Sequence, residues 1–342
     1  MNDIGFHKET TRGTYLDPFN GFQSKESSFE IRRDDTTGVT CRILPFRFSI
    51  AEKPDLNAYI EKSPDSICPF CTALFDQMTP RFTPDVHREG KFKRGSAVLF
   101  PNAFPYDGNN AVAIFSHEHF LGLDVLRPEV MEDGFLVCRD YFERMSVLDS
   151  SLRFCSINWN YMPPAGGGLI HPHLQTIVSG RPTRFMERLL RKGSEHRRRT
   201  GRNLWDDLVS YERKENERFI AERDNVVWLA TFAPKGMAGE VSFIFNGKIS
   251  LFDLHETDWT AFTGGLFTIF RYFQENNFIS FNMAIFATLT ETDDFRVQGK
   301  ILPRFLLPPL GTSDLNYFEK LHDEIICPTI PEALCEELRK LF

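Results

Sequence analysis

The chain has 342 residues, 42% of them hydrophobic and 34 of them Phe, which is enough apolar material for a large core built as two domain-sized halves. Its formal net charge of −7 excludes a general electrostatic affinity for nucleic acid, and no apolar run reaches the ~18 to 20 residues of a membrane span. Seven cysteines, an odd number scattered along the chain, exclude a disulfide framework, and the polar N terminus lacks a signal-peptide pattern, so a cytoplasmic location is expected.

Residues 1–27 read as a polar arm, and strands are expected at 40–48, 96–100 and 111–115. A helix is expected over 128–145, where Pro128 suits a first helical turn and apolar residues recur every three or four positions. Strands follow at 151–160 and 169–178, then helices over 183–192, ended by Gly193, and over 203–223. The basic run from Arg191 to Arg202 reads as a solvated helix end and loop. The order then repeats, with strands at 226–232 and 240–245, a long helix over 256–276 and strands at 280–287 and 298–307. Helices over 313–326 and 330–341 close the chain. This alternation predicts an α+β fold in two similar halves, 28–180 and 181–342, each a largely antiparallel sheet with flanking helices.

One stretch carries most of the chemistry: His171-Pro172-His173-Leu174-Gln175, placed just after Gly166-Gly167-Gly168. Residues two apart on a strand share a face, so His171, His173 and Gln175 are expected to line one surface. Three glycines can bring backbone N–H groups close to a phosphate, and an imidazole beside them can attack phosphorus. An isolated His-x-His is more often a hydrogen-bonded pair on a half-buried strand. The triple glycine, the Gln and the upstream Cys68-Pro69-Phe70-Cys71 together point instead to nucleotidyl transfer. By itself the Cys pair also fits a redox couple or two buried cysteines, although residues 63–70 lack the preceding apolar strand of a thioredoxin-like motif.

These motifs resemble the histidine-triad superfamily and, within it, the galactose-1-phosphate uridylyltransferases, whose signature is His-Pro-His-Gly-Gln. Arg32-Arg33-Asp34-Asp35-Thr36-Thr37-Gly38 is similar to that family's opening Arg-x-Asp-Pro-x-Thr-Gly, and Cys68-Pro69-Phe70-Cys71 to its first pair of zinc ligands. Phe100-Pro101-Asn102-Ala103-Phe104-Pro105 matches the nucleoside-binding Asn-Asp-Phe-Pro stretch with one change, and Phe115-Ser116-His117-Glu118-His119 matches Ser-Pro-x-His. Asn160 stands where the family has an Asn before its glycine-containing loop, so the resemblance covers nearly the whole chain from about residue 28.

The resemblance implies two histidine-triad-like halves, a structural zinc on Cys68, Cys71, His119 and His171, and His173 as the nucleophile of a covalent nucleotidyl-histidine. His117, two residues away, competes with His119 for the third ligand position. Gln175 and the backbone of Gly166, Gly167 and Gly168 would stabilise charge on the phosphate, and Asn160 would position that phosphate or the loop. Asn102 would bond the ribose, with Phe100 and Phe104 close to the base, while Phe318 and Glu319 match a Tyr-Glu pair that grips the hexose. Each of these binding residues also has a reading as a turn or core residue. Family members are commonly dimers whose subunits complete each other's sites, so a homodimer is expected.

Departures from the family pattern shape the functional expectation. Leu174 replaces a Gly, Gly168 a common Ser, and Ala103 an Asp, while Leu302-Pro303-Arg304-Phe305 occupies the region where many members carry a second His-x-His. A second metal is therefore not expected. The cation that would face a phosphorylated hexose is missing from Gly311-Thr312-Ser313-Asp314. His-x-His-Leu-Gln also resembles the dinucleoside polyphosphate phosphorylases of the same superfamily. The expected activity is exchange of a nucleoside monophosphate between a nucleotide sugar and a sugar 1-phosphate. The alternatives are a phosphorylase or hydrolase using the same histidine with phosphate or water, and a non-catalytic nucleotide-binding protein. No nucleic acid or membrane partner is expected.

Overall fold

The computed structural model describes residues 4–44, 46, 49–50 and 52–342, so positions 1–3 of the expected arm and 45, 47 and 48 of the expected first strand lie outside the described residues. The arm is a hairpin. Strands β1 (Phe6–Asp17) and β2 (Gln23–Asp34) pair in unbroken antiparallel register. The Asp17 carboxylate closes the turn by accepting the Phe19 N–H at 3.0 Å and a Lys25 ammonium hydrogen bond at 2.8 Å. Polar composition suggested an arm because both faces of this ribbon carry polar side chains along most of its length, which hides the alternation that marks a half-buried strand. Strand β3 (Val39–Ile43) extends the ribbon, and helices α1 (Asn57–Lys62) and α2 (Thr72–Met78) flank the Cys-x-x-Cys turn.

The main body repeats one design twice. Strands β4 (Phe92–Arg94), β5 (Ala97–Pro101) and β6 (Asn110–Ile114) form a meander, followed by helix α3 (Pro128–Leu148) and strands β7 (Phe154–Tyr161) and β8 (His173–Ser179). After helices α4 (Arg184–Thr200) and α5 (Leu204–Glu215), the meander recurs as β9 (Phe219–Arg223), β10 (Val226–Ala230) and β11 (Val241–Phe245). Helix α6 (Glu256–Glu275) and strands β12 (Ser280–Thr288) and β13 (Gln298–Arg304) complete the second copy. The two copies fuse into one ten-stranded antiparallel sheet of order β4-β5-β6-β8-β7-β12-β13-β11-β10-β9, joined where Ile157 faces Ile285. The α+β class and the doubled design expected from the sequence are what the fold has.

One sheet face packs on α3 and α6 through large rings. Phe135 stacks on Trp259 at 5.6 Å, Trp228 on Phe262 at 5.7 Å, and Trp159 is fully buried between the copies. Burial of each such side chain stabilises the fold by about 1.5–3 kcal/mol. The opposite face is covered only at its ends. Cys68, Phe70 and Phe75 cap the β5–β6 end by packing on Val98, Phe100, Val112 and Ile114. Leu189 and Trp205 of α4 and α5 cover Val227, Leu229 and Ile244 at the other. Between them, β7, β12 and β13 present Asn158, Asn160, Asn282, Lys300 and Arg304 to a pocket that Phe185 of α4 and Phe286 of β12 also line.

Several boundaries differ from the sequence reading. Gly193 lies inside α4, which continues to Thr200 and ends on Gly201 in the left-handed conformation. Its role is close approach: a Cβ there would stand 1.9 Å from the Asp294 carbonyl oxygen. Helix α5 stops at Glu215 because Asn216 turns left-handed, freeing residues 219–223 to form β9. The expected strand over 298–307 ends at Arg304, and its last residues form β14 (Leu306–Leu307), which pairs with β15 (Thr312–Ser313); the expected helix over 313–326 gives way to the end of β15, helix α7 (Tyr317–His322) and β16 (Ile325–Cys327). Strand β16 joins β3 in parallel, a long-range pairing that no local pattern reveals. Helix α8 (Pro331–Arg339) ends the fold. Among the described residues no helix is long and apolar enough to cross a membrane.

Candidate active site

Strand β8 begins at His173, four residues later than expected, because the glycine loop continues through Pro172. His173 and Gln175 therefore share a face of β8, while His171 turns from the preceding loop towards the Cys turn. The loop is tightly wound: Met162 holds a positive φ of 69°, and Gly166 one of 84°. Gly167 is pressed against the carbonyl oxygens of Asn160 and Met162, each 3.0 Å from where a Cβ would sit. The N–H groups of Gly166 and Gly167 are used within the loop, donating to Pro163 and Met162, whereas Gly168 is exposed.

The His173 ring is held in one tautomer. Its Nδ1–H donates to the His171 carbonyl at 2.8 Å, and since a carbonyl can only accept, the lone pair resides on Nε2. Burial leaves this side chain 7% exposed and pulls its pKa down, so the neutral, nucleophilic imidazole prevails at pH 7. Phe70 meets the ring edge-to-face at 5.3 Å and also meets His171 at 5.7 Å, which ties the Cys turn to both histidines. Gln175 is half-buried, and among the described residues its amide makes no hydrogen bond to protein.

Cys68, Cys71, His119 and His171 converge, with their ligand atoms all within 4.8 Å of one another. His171 Nε2–H donates to the Ser116 carbonyl at 2.9 Å, which directs Nδ1 at both sulfurs, each 3.7 Å away. His119 Nε2–H donates to the Ser63 carbonyl, directing its Nδ1 at Cys71 Sγ 3.3 Å away. Two sulfurs and two imidazole lone pairs fixed by second-sphere carbonyls form a donor set that could hold a metal ion. Burial, with Cys68 adding to the rise, pushes the Cys71 thiol up to about 12, so a thiolate pair here calls for a cation beside it. Burial likewise takes His171 down to about 4, which keeps Nδ1 free of a proton. His117 does not join this group; its Nδ1 bonds the Phe70 carbonyl at 3.2 Å and its ring packs on Phe75.

Asn160 lies across the junction of the two copies, where its Oδ1 accepts from Asn282 Nδ2 at 2.6 Å. The same amide nitrogen donates to the Ala165 carbonyl in the glycine loop at 2.8 Å. Arg304 donates to Asn282 Oδ1 at 2.6 Å and is itself clamped by the buried Asp314 at 2.6 and 2.8 Å. A continuous polar chain thus runs from Asp314 to the loop beside His173. The sequence reading missed Asn282 and Asp314; the available signal was an Asn on each of the two central strands, at positions that pair as Asn282 with Asn160.

The expected nucleoside residues are dispersed. Phe104 is 82% exposed on the loop after β5, free to meet a ligand. Phe100 is 1% exposed, packed edge-to-face under Phe70 and Phe75, so it serves the core beneath the site. Asn102 is occupied within its loop, accepting the Phe104 N–H at 2.9 Å and donating to Asn110 at 2.7 Å. Phe318 lies under the Arg42 guanidinium, outside the site, while Glu319 lines a pocket of about 390 Å³ together with Asn158, Asn160, Asn282 and Arg304. Asn158 pairs with Gln175 across β7 and β8, which sets this pocket next to the strand that carries His173.

No family model matches the chain. A relative from Archaeoglobus fulgidus, described as an uncharacterized protein, is 29% identical over 325 residues, covering 94% of this chain and 95% of its own. Among solved structures, a galt-like protein from Arabidopsis thaliana superposes with a TM-score of 0.69 at 18% identity, over 91% of this chain and 98% of that one. An ADP-glucose phosphorylase from the same plant, solved with ADP-glucose bound, gives 0.68 at 18% identity over the same shares. A uridylyltransferase mutant gives 0.65 at 17% identity, over 91% of this chain and 97% of that one. The fold is therefore that of the uridylyltransferases, as the motif resemblance implied.

Proposed function

We propose that this protein is a nucleotidyltransferase that moves a nucleoside monophosphate from a nucleotide sugar to a sugar 1-phosphate through a covalent intermediate on His173. The observation that carries the reading is the His173 ring, buried, neutral and pinned through Nδ1 so that Nε2 alone can react. Nε2 attacks the nucleotide's α-phosphorus, and the P–O bond to the departing sugar phosphate breaks with its electron pair leaving on that oxygen. An oxygen of the incoming phosphate then attacks the same phosphorus, the P–N bond breaks, and the electron pair returns to Nε2. Gln175 donates its amide hydrogens to a non-bridging oxygen, the exposed Gly168 edge of the loop faces the developing charge, and Asn160 braces that loop. Cys68, Cys71, His119 and His171 would hold a zinc ion, whose contribution would be structural, tying the loop that carries His173 to the Cys turn.

A second reading, phosphorolysis of a nucleotide sugar with inorganic phosphate as acceptor, is supported by the missing cation at 311–314 and by the likeness in fold to a phosphorylase solved with ADP-glucose. Seven free cysteines suit a reducing compartment, and we place the protein in the cytoplasm as a homodimer. The test is intact-protein mass spectrometry after separate incubation with UDP-glucose, UDP-galactose, ADP-glucose, GDP-glucose and diadenosine tetraphosphate, with a His173→Ala control. The expected result is a gain of one nucleoside monophosphate that the control lacks and that a sugar 1-phosphate removes. An adduct that persists in the control, or none with any donor, overturns the reading; discharge by phosphate alone selects the phosphorylase.

A further inference from the structure

The pocket beside the catalytic strand holds three cations and three carboxylates, yet they are not evenly matched. Lys300 is paired with Glu240, whose side chain is fully buried, and Arg304 with Asp314. Among the described residues, the Lys235 ammonium and the Glu319 carboxylate have no ion-pair partner, although each lies within electrostatic range of the other. Lys235 is half-buried, and its backbone N–H donates to Glu240 Oε2 at 3.1 Å, which fixes the base of its side chain beside the Glu240–Lys300 pair. The ring of Phe185 lies 4.9 Å from the Lys235 ammonium and 5.7 Å from that of Lys300, so one aromatic ring has both cations against it. Gly236 and Met237 line the same wall, and among the described residues their backbone N–H groups have no acceptor.

An ammonium withdrawn from water without a direct ion pair is costly, and here burial, with the neighbouring Lys300 adding to it, lowers the pKa of Lys235 against the opposing pull of the Glu240 and Asp323 carboxylates. A bound anion would remove that cost. We propose that Lys235, with Lys300 beside it, is the anchor for a phosphate dianion: the phosphate of the group that leaves in the first half-reaction and of the acceptor that enters in the second. The proposal rests on the nucleotidyl-transfer reading and supplies the cation that residues 311–314 lack. Because both half-reactions use the same phosphorus and the same face of His173, one anchor serves both sugar phosphates. The volume of about 390 Å³ leaves room for a hydroxylated body beyond the phosphate, with Glu319 in the same lining.

The test is calorimetric titration of the full chain with inorganic phosphate, with glucose 1-phosphate and with glucose, using wild type, Lys235→Met and Lys235→Arg. Met keeps an unbranched apolar stem without the charge, and thermal melting checks that each variant folds. The expected result is phosphate-dependent binding that weakens about tenfold to a hundredfold in Lys235→Met and recovers in part in Lys235→Arg. Tighter binding of glucose 1-phosphate than of phosphate identifies a sugar phosphate as the source; equal affinity identifies inorganic phosphate. Equal binding by wild type and Lys235→Met, or no binding by wild type, overturns the anchor. Nucleotidylation of His173 is scored separately, so loss of anion binding in Lys235→Met in a protein that forms no adduct leaves the anchor standing and removes the transfer reading.

Discussion

The ring of His173 hangs from the backbone carbonyl of His171 at 2.8 Å, while the ring of His171 turns away to face the sulfurs of Cys68 and Cys71. One residue thus orients the proposed nucleophile with its main chain and joins the four-residue cluster with its side chain. Anything that displaces the His171 backbone misaligns the lone pair of His173, and an error of that kind is expensive for a reaction that depends on positioning.

Removal of the zinc proposed for the Cys68, Cys71, His119 and His171 cluster is therefore expected to cost both stability and activity. Prolonged chelation, or Cys71→Ser, should lower Tm by roughly 5 °C or more, since each kcal/mol corresponds to about 2–4 °C in a protein of more than about 150 residues. Elemental analysis alongside thermal melting checks this; a metal-free protein with unchanged Tm and unchanged His173 labelling would refute it.

Asn282 bonds both Asn160 and the Ala165 carbonyl, so Asn282→Ala should loosen the glycine loop without emptying the core. The expected signature is a fall in the rate of nucleotidylation of about tenfold to a hundredfold with Tm nearly unchanged. Single-turnover labelling followed by mass spectrometry measures it, and a large fall in Tm at full labelling rate would mean that Asn282 serves packing alone.

Gly193→Ala would place a methyl group 1.9 Å from the Asp294 carbonyl oxygen, a backbone atom that cannot rotate away. Ordinary helix propensity favours Ala over Gly by about 1 kcal/mol, but the clash should dominate and destabilise the protein by about 1–3 kcal/mol. Urea unfolding compares the two chains, and a more stable variant would show that the β12–β13 loop carrying Asp294 simply gives way.

Glu332 receives both nitrogens of Arg32 at 2.8 Å and one of Arg218 at 3.1 Å, and these guanidinium groups, outweighing its burial, hold its carboxyl at about 2. A folded-state pKa below the unfolded value stabilises the fold above that unfolded value, near 4.5, and the contribution is lost as pH falls through the folded one. Because Glu332 is partly exposed, screening limits the effect to about 1–2 kcal/mol. The stability difference between wild type and Glu332→Gln should be largest above pH 5 and shrink by roughly half or more at pH 3. Urea titrations at both pH values measure it, and a pH-independent difference would rule out the ion pairs as its source.

Local signals in the sequence were strong enough to place the long helices α3 and α6, the central strands and the doubled α+β order, because periodic apolar spacing is set by the period of the element itself. The histidine motif, the glycine loop and the Cys turn were likewise legible, since their chemistry requires those residue types close together in the chain. Other features depend on atoms far apart in sequence, and only the tertiary structure decided them. His119 joins the sulfur cluster and His117 does not because the Phe70 carbonyl claims the latter and the Ser63 carbonyl aims the former. Gly193 reads as a helix stop until Asp294 is seen against it, and the polar hairpin reads as an arm until its two strands are paired. The chain from Asp314 through Arg304 and Asn282 to Asn160 exists only because β7, β12 and β13 lie side by side, and Lys235 and Glu319 reach the same pocket from outside those strands. Composition and periodicity register what each residue prefers; which polar groups meet is settled by strand register and by the cost of leaving any of them buried without a partner.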